Sequence, residues 1–226
     1  MAVKARLNRE TLVSTALDLA DAEGLDAVTT RRVAQHHGVT PMALYRHFRD
    51  KEEIFDALAE RLLAQVALPE PDHRPWHEQT RDVFDAFLAA LRPHPAVAGL
   101  VLNRVLTSEP GLALAERTLS LLAEGGFPVD QAAETGSQAL CSLVTLVITE
   151  PGRGDGPDPE TRDGTVRAKR AALAALPPRR YPHVVAAADA LASCASDDVY
   201  YARGTAMIVA GIRSGPATAD RAATGG

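Results

Sequence analysis

The pattern of apolar residues predicts two amphipathic helices on either side of a shorter, more polar segment. The first spans Asn8–Glu23, and Gly24 is suited to ending it. The second starts at Asp50, where Glu53 three residues later gives a capping-box pattern, and continues to about Val66. Their apolar positions are Leu12, Val13, Ala16, Leu17, Ala20, Ile54, Phe55, Leu58, Leu62 and Leu63. We expect the first helix to pack over the segment that separates the two.

That segment has the pattern of a helix-turn-helix. Thr30 is placed to cap a short helix over Arg31–His37, and Gly38 stands where a tight turn needs a left-handed residue. Thr40 can cap a second helix, with Pro41 in its first position, where no amide donor is needed. The apolar positions are Val33, Ala34, Val39, Leu44 and Phe48. The opposite face carries Thr40, Met42, Ala43, Tyr45, Arg46 and His47. Such a face is suited to a DNA major groove.

The remainder of the chain predicts a second domain that is also helical. The run Leu68–Pro71, with two prolines, breaks the pattern and marks the domain boundary. Further helices are predicted over Trp76–Arg92, Ala96–Thr107, Gly111–Glu124, Val129–Thr149, Thr165–Leu176, Val184–Ala195 and Asp197–Arg213. Composition predicts a flexible loop over Pro151–Gly164 and a disordered tail over Ser214–Gly226. The expected division is residues 1–66, 67–214 and a flexible tail over 215–226.

Composition supports an all-α fold and narrows the class of protein. The 226 residues are 46% hydrophobic but only 4% aromatic, and Ala and Leu dominate. No apolar run reaches the roughly 18 residues of a membrane span. The N-terminus also lacks a hydrophobic signal-peptide core. We therefore expect a cytoplasmic protein with no membrane contact, in which Cys141 and Cys194 are buried, reduced thiols.

Charge is distributed unevenly along the chain. The net charge of −5 at first argues against a nucleic-acid partner, but residues 1–51 hold eight Lys/Arg and six Asp/Glu. This part therefore carries +2 and the remainder −7. The acids of the first part lie mostly between Asp18 and Asp26, so a positive face is left for DNA. Lys4 and Arg6 are either a basic arm or a solvated tail.

The motif residues closely resemble one family. Thr-Thr-Arg-Arg-Val-Ala at 29–34, Gly-Val-Thr at 38–40 and Leu-Tyr-Arg-His-Phe-Arg-Asp-Lys-Glu-Glu at 44–53 resemble the DNA-binding domain of the tetracycline-repressor (TetR) family. The resemblance covers about Leu7–Leu63 and is more specific than a generic helix-turn-helix.

A weaker resemblance links the second domain to that of the tetracycline-repressor subclass. It lies in the Trp76 helix, the turn Glu124–Phe127, the sequence Tyr181–His183 and a last helix with Gly204 and Gly211. The resemblance implies a homodimeric, ligand-responsive transcriptional regulator that represses by binding a near-palindromic double-stranded DNA operator. It also implies a four-helix dimer interface from Val129–Thr149 and Asp197–Arg213.

Matching to the family motif, residue by residue, implies which side chains meet DNA. The set is Thr30, Arg31, Thr40, Pro41, Met42, Ala43, Tyr45, Arg46, His47 and Lys51. The Arg31 fork suits a guanine edge or a phosphate, and Lys51 suits a phosphate at a helix N-terminus. Met42 and Ala43 offer only apolar contact, for example to thymine methyl groups. Arg46 stands where the tetracycline repressor has an aromatic residue, so the operator sequence does not transfer.

A small-molecule effector is expected in the second domain. Candidate lining residues are Trp76, Phe84, Phe87, Leu100, Asn103, Arg104, Gln138, Cys141 and Thr145. The large apolar ones are equally suited to plain core, whereas buried polar groups need partners that a ligand could supply. No clear counterpart of the family's magnesium-ligating histidine occurs around Ala98–Arg104, so a tetracycline–magnesium ligand is disfavoured.

The sequence has no motif that predicts catalysis, a cofactor or a metal site. It lacks GxSxG, P-loop, GxGxxG and HExxH patterns. His36 and His37 are adjacent and point in different directions on a helix, and Pro75 makes a helix through His73 and His77 improbable. We expect no enzyme. Two alternatives stay open: a constitutive DNA-binding protein without an effector, and a helical enzyme or scaffold that has lost DNA binding.

Overall fold

The computed structural model describes residues 8–152, 159–194 and 196–215. Within these ranges the chain forms helices and connecting turns and no strand, which confirms the predicted all-α class. Lys4 and Arg6, the middle of the predicted loop (153–158) and the tail 216–226 lie outside the described residues. No helix among the described residues is long and apolar enough to cross a membrane.

The N-terminal part consists of four helices around a small apolar core. They are α1 (Arg9–Glu23), α2 (Thr30–His36), α3 (Pro41–Leu44) and α4 (Lys51–Ala64), with a 3₁₀ turn at Leu25–Ala27. Asn8 caps α1, its side chain accepting a hydrogen bond of 2.8 Å from the Thr11 amide. Helix α1 packs against α2 as well as α4, so the predicted packing of the first helix over the helix-turn-helix is confirmed. Leu12, Ala16 and Leu58 are completely buried in this core.

The second part is a larger helical bundle built around one central helix. Its helices are α5 (Trp76–Leu91), α6 (Pro95–Ala98), a 3₁₀ helix (Gly99–Asn103), α7 (Glu109–Glu124), α8 (Val129–Ile148), α9 (Pro159–Ala174), α10 (Pro182–Ala186), α11 (Ala188–Ala192) and α12 (Asp197–Ser214). The central helix α5 packs against α7, α8 and α12. It has no exposure at Val83, Phe84, Phe87 or Leu91.

The predicted helix Ala96–Thr107 is wrong, because this stretch divides into α6, the 3₁₀ helix and a turn. The next helix also begins earlier than predicted. Ser108 caps α7 by accepting a hydrogen bond of 3.3 Å from the Gly111 amide, so Pro110 lies inside the first helical turn instead of before the helix.

Two other elements differ from the sequence prediction. The loop predicted over Pro151–Gly164 ends early, since α9 begins at Pro159, a residue whose fixed φ suits a first turn. The predicted helix Val184–Ala195 is two helices, α10 and α11, divided at Ala187 (φ −97°, ψ 8°).

The cysteines are not both buried in helices. Cys141 is exposed on α8, and Cys194 is half-buried beyond the end of α11.

The close approach of α7 to the preceding turn gives a test of the fold. A Cβ on Gly111 would collide with the carbonyl oxygen and Cα of Val105, which are backbone atoms that cannot move aside. We expect Gly111→Ala to lower the free energy of unfolding by about 1–3 kcal/mol, as overpacking does. Gly164→Ala on α9 is the control, because its nearest neighbour is a flexible Arg167 side-chain atom at 3.9 Å. Urea denaturation of both variants measures the difference, and equal stability would contradict this packing.

Candidate functional site

The first helix of the helix-turn-helix begins at a cap one residue earlier than predicted. Thr29 is extended (φ −130°, ψ 149°), and its hydroxyl accepts a hydrogen bond of 3.2 Å from the Arg32 amide. Thr30, which we predicted as the cap, is the first helical residue and is half-buried. Either threonine could act as the N-cap, but only Thr29 has the extended backbone that a cap residue needs.

The turn between α2 and α3 agrees with the prediction. Gly38 has φ 64°, a conformation that strains residues with a side chain. The Val39 amide donates a hydrogen bond of 3.1 Å back to the Ala34 carbonyl, which closes the turn. Ala34 is completely buried, so its small side chain allows the two helices to cross closely.

The reading helix α3 is shorter than the sequence suggests. It ends at Leu44, and Tyr45–His47 continue as a turn in which the His47 and Phe48 amides donate to the Leu44 carbonyl at 2.8 and 2.9 Å. Thr40 is its N-terminal flanking residue but makes no side-chain capping bond. Its exposed hydroxyl is therefore left available to another partner.

The residues predicted to contact DNA stand at or near the surface. Met42 is 71% exposed and Tyr45 is 49% exposed. The other exposed members are Arg31, Thr40, Pro41 and Arg46, and the half-buried ones are Thr30, Ala43, His47 and Lys51. Beneath them, Leu44 and Phe48 are buried in the N-terminal core, so the reading segment is anchored from below. We define the residues 40–47 as the reading segment.

The adjacent arginines of α2 have different environments. Arg32 makes a bidentate ion pair with Glu23 of α1, at 2.8 and 2.5 Å, and its hydrogen bonds lower the pKa of that carboxyl. Arg31 is exposed and has no ion pair within the described residues. One arginine therefore fixes α2 on α1, and the other is available to DNA.

The start of α4 keeps Lys51 in place. Asp50 caps the helix by accepting a hydrogen bond of 2.9 Å from the Glu53 amide, but the return bond of the predicted capping box goes elsewhere. The Glu53 carboxylate instead accepts from the Arg49 amide at 2.8 Å. The Lys51 ammonium lies 4.9 Å from the centroid of the Phe55 ring. Its charge is thus held near a helix N-terminus, where phosphates bind.

Two further contacts of the helix-turn-helix were not predicted from the sequence. His37 Nε2 and the Thr15 hydroxyl are 2.9 Å apart, which connects the end of α2 to α1. The Arg9 guanidinium lies 5.2 Å from the centroid of the Phe48 ring. Both contacts join residues far apart in the sequence, so no local pattern could have indicated them.

The predicted effector residues are dispersed in the second part of the chain. Phe84 and Phe87 are fully buried core, whereas Asn103, Cys141 and Thr145 are exposed. Gln138 is also exposed, in a cleft between α8 and α12, and Leu100 is partly buried against the core. Trp76 is half-buried, with its ring centroid 6.0 Å from that of Phe127. The set does not line one common cavity, and its role remains a prediction.

Buried guanidinium groups give a different indication of a polar ligand. The Nε atoms of Arg61, Arg104 and Arg117 are buried and have no hydrogen-bond partner among the described residues. Arg117 donates through its terminal nitrogen to Gln79 Oε1 at 2.7 Å, and Gln79 is itself buried. Sequence reasoning selected Arg104 and missed the others. Charged residues within amphipathic helices usually point to solvent, and only the packing shows that these do not.

Comparisons with known proteins agree with this architecture over both parts of the chain. Residues 12–58 match the family described as "Bacterial regulatory proteins, tetR family". Residues 68–215 match the "Tetracyclin repressor-like, C-terminal domain". The chain belongs to the TetR family. It is a ligand-responsive, DNA-binding transcriptional regulator.

Individual relatives extend over nearly the whole length of this TetR-family chain. The class A tetracycline repressor protein from transposon 1721 of Escherichia coli is 32% identical over 213 residues, covering 92% of this chain and 91% of that protein. A possible TetR-family regulator of Streptomyces coelicolor has a TM-score of 0.74 and 30% identity, covering 91% of this chain and 98% of that one. ActR of Streptomyces coelicolor, in complex with actinorhodin, has a TM-score of 0.72 and 28% identity, covering 92% and 97%.

Proteins of this family are dimers, and in the TetR-family chain described here α8 and α12 each carry a large apolar side chain that is exposed in the single protomer. Val129 on α8 is 84% exposed and Met207 on α12 is 70% exposed. The two helices cross closely within the protomer, since a Cβ on Gly204 would lie 2.5 Å from a Leu146 methyl group. These are the helices for which the family resemblance implies a dimer interface, and that assignment remains a prediction.

Among the described residues of the regulator, one cluster resembles a metal site. Ligand atoms of Glu150, Cys194 and Asp197 all lie within 4.8 Å of one another. Burial and the carboxylates of Asp197 and Glu150 raise the pKa of the Cys194 thiol, which favours its protonated form. Tyr201 donates a hydrogen bond of 3.0 Å to Glu150, and the Cys194 thiol donates one of 3.5 Å to Asp197, so these groups already have protein partners and we assign no metal to the cluster.

The reading segment and Arg31 make a direct mutational test. We expect Arg31→Ala to weaken binding to the operator by about 1–3 kcal/mol, and Tyr45→Phe to weaken it through loss of a hydroxyl. If Arg31→Ala relaxes sequence specificity at a single base position, Arg31 contacts a base edge. If it weakens binding equally to all sequences and makes the salt dependence shallower, Arg31 contacts a phosphate. Fluorescence anisotropy with labelled DNA measures both.

Arg32→Ala is the matched control for Arg31→Ala. Because Arg32 is paired with Glu23, Arg32→Ala should lower the melting temperature and leave the salt dependence of DNA binding close to that of the wild type. Wild-type affinity in both the Arg31→Ala and the Tyr45→Phe variants would show that the site assignment is wrong.

Proposed function

We propose that this regulator is a repressor that a small-molecule effector releases from a near-palindromic operator. The observation that carries the proposal is the exposed reading segment, which Leu44 and Phe48 anchor in the core below it. A two-fold dimer would place one such segment in each of two successive major grooves, roughly 34–36 Å apart along the DNA. Thr30, Arg31 and Lys51 would add contacts beside them.

We infer that the chain has two functional domains. Residues 1–66 would bind DNA, and residues 67–214 would bind the effector and the second subunit. The family matches at 12–58 and 68–215 support this division. The helix α4 ends at Ala64, before the extended run that separates the two, so it is the element that joins them. The family consists of transcriptional regulators, and the proposal includes no catalytic step.

The proposed effector carries hydrogen-bond acceptors such as carbonyl or carboxylate oxygens. Buried N–H donors normally have partners, and the Nε atoms of Arg61, Arg104 and Arg117 have none among the described residues. The names of two relatives, a tetracycline repressor and an actinorhodin-bound ActR, support small-molecule control. A coupling of about 1–3 kcal/mol between effector and operator would lower DNA affinity about 5–150-fold.

Operator selection tests the DNA-binding half of the proposal. Purified protein is offered random double-stranded DNA at two salt concentrations, and the enriched sequences are titrated against unrelated competitor DNA. We expect a near-palindrome whose affinity falls steeply as salt rises, because phosphate contacts release counterions. Binding that is no tighter than to competitor would favour a protein that has lost DNA recognition.

Ligand screening tests the effector half. A true effector raises the melting temperature, because it binds the native state, and also lowers operator affinity. Arg117→Ala should abolish both responses while operator binding remains, and Arg167→Ala on the exposed surface of α9 is the control. A protein that binds its operator but responds to no compound would instead be a constitutive DNA-binding protein. Equal responses in Arg117→Ala and the wild type would remove Arg117 from the effector site.

A further inference from the structure

One short segment of the second domain supports both long helices of the DNA-binding domain. It consists of α6 and the following 3₁₀ helix, with His94 before it and Arg104 after it. Helices α1 and α4 both pack against α6, and α4 also packs against the 3₁₀ helix. At each end of the segment, a basic side chain reaches an acid on a different helix of the DNA-binding domain.

The first of these contacts joins His94 to Asp21. The distance from His94 Nδ1 to Asp21 Oδ2 is 2.7 Å, and the side chains are only 18% and 29% exposed. Asp21 is exposed as a residue, but both interacting side chains are partly covered, so the pair is screened less than a fully exposed one. Partial burial raises the pKa of the Asp21 carboxyl, and the hydrogen bond to His94 opposes this shift.

The second contact, between Arg104 and Asp56, is weaker. Arg104 Nη1 lies 3.7 Å from Asp56 Oδ2, beyond hydrogen-bond distance, and Asp56 is 49% exposed. The Arg104 Nε is nevertheless buried, and the side chain as a whole is only 26% exposed. This contact attracts α4 only weakly, whereas the hydrogen bond between His94 and Asp21 fixes the position of α1.

Asp21 is directly connected to the helices that read DNA. It lies two residues before Glu23, whose bidentate ion pair with Arg32 attaches α2 to α1. The hydrogen bond between Thr15 and His37 attaches the other end of α2 to the same helix. Helix α1 is therefore fixed to the helix-turn-helix at two points, and a displacement at Asp21 moves all of it.

We propose that Asp21 and His94 are a positioning pair, which fixes the orientation of the DNA-binding domain on the effector domain and thereby sets the half-site spacing that the dimer accepts. Neither residue contacts DNA in this arrangement. Their removal leaves each reading segment intact but allows the two segments of a dimer to adopt a range of separations. The inference rests on the proposed function, since spacing has meaning only for a dimer on a two-part operator.

The experiment compares binding to the selected operator and to versions with the half-sites moved apart or together by one and two base pairs. The variants are Asp21→Ala, His94→Ala, their combination, and His94→Asn, whose amide nitrogen can replace Nδ1 as donor. The control is Arg92→Ala, which breaks a neighbouring ion pair, Arg92–Asp198, that lies inside the second domain. A DNA with a single half-site measures the reading segment alone.

We expect the wild type to prefer one spacing, and the two alanine variants to lose about fivefold or more of that preference. Their binding to the single half-site should stay at the wild-type level. The combined variant should be no worse than either single one, because one contact is lost in all three. His94→Asn and Arg92→Ala should keep the wild-type spacing profile. His94→Leu, which has similar volume and no donor, replaces an alanine variant that does not fold.

Different results overturn different conclusions. If the wild type prefers one spacing and the alanine variants keep that preference, the positioning role is wrong and the proposed function stands. A loss of spacing preference in Arg92→Ala equal to that in His94→Ala would also overturn the positioning role, because a general loss of rigidity would then explain it. A wild type that selects no two-part operator would overturn the proposed function and this inference with it.

Discussion

The burial of Leu44 and Phe48 is the interaction on which the DNA-reading surface depends. A helix of four residues has too few internal hydrogen bonds to be stable on its own, because nucleation costs more than one turn returns. Tertiary packing must therefore hold α3, and these two side chains supply it from below. The exposed side chains of Tyr45 and Arg46 do not contribute to this packing, so they are available for contacts with DNA.

The polar side chains around this core also fall into two groups, those that bond within the protein and those that are left exposed. Arg32 and His37 are bonded to α1, and Asp50 caps α4. Arg31, Thr40 and Arg46 are exposed, and their side chains have no hydrogen bond or ion pair within the part of the chain that the structure describes. The formal charge of the N-terminal part thus overstates what is available for binding. In the second domain, by contrast, the buried Nε atoms of Arg104 and Arg117 have no hydrogen-bond partner among the described residues, although both guanidinium groups meet a partner through a terminal nitrogen.

Local sequence patterns predicted most of the fold, and they failed where longer-range packing decides. Gly38, Pro41 and the apolar spacing of α1 and α4 act over a few residues, so the helix-turn-helix and its glycine turn could be predicted. The cap at Thr29 could not be separated from Thr30, because both residues bond in the same way. The broken stretch after Pro95 depends on the close crossing of α7, and the burial of Arg61 and Arg117 depends on the assembled bundle. The spacing of apolar residues along the sequence indicates neither the broken helix nor the burial of these arginine atoms.

The chemistry of the proposed reading segment has a consequence for how the regulator would distinguish one DNA sequence from another. Its most exposed large residue, Met42, is flexible, unbranched and without a hydrogen-bond donor. Such a side chain adapts to the groove and cannot identify a base by its polar edge. Met42 is therefore suited to thymine methyl groups, and recognition of polar base edges would be left to donors such as Arg31, alongside the width and stiffness of the duplex. Base pairs that no side chain touches would then contribute to operator choice through the energy needed to deform them.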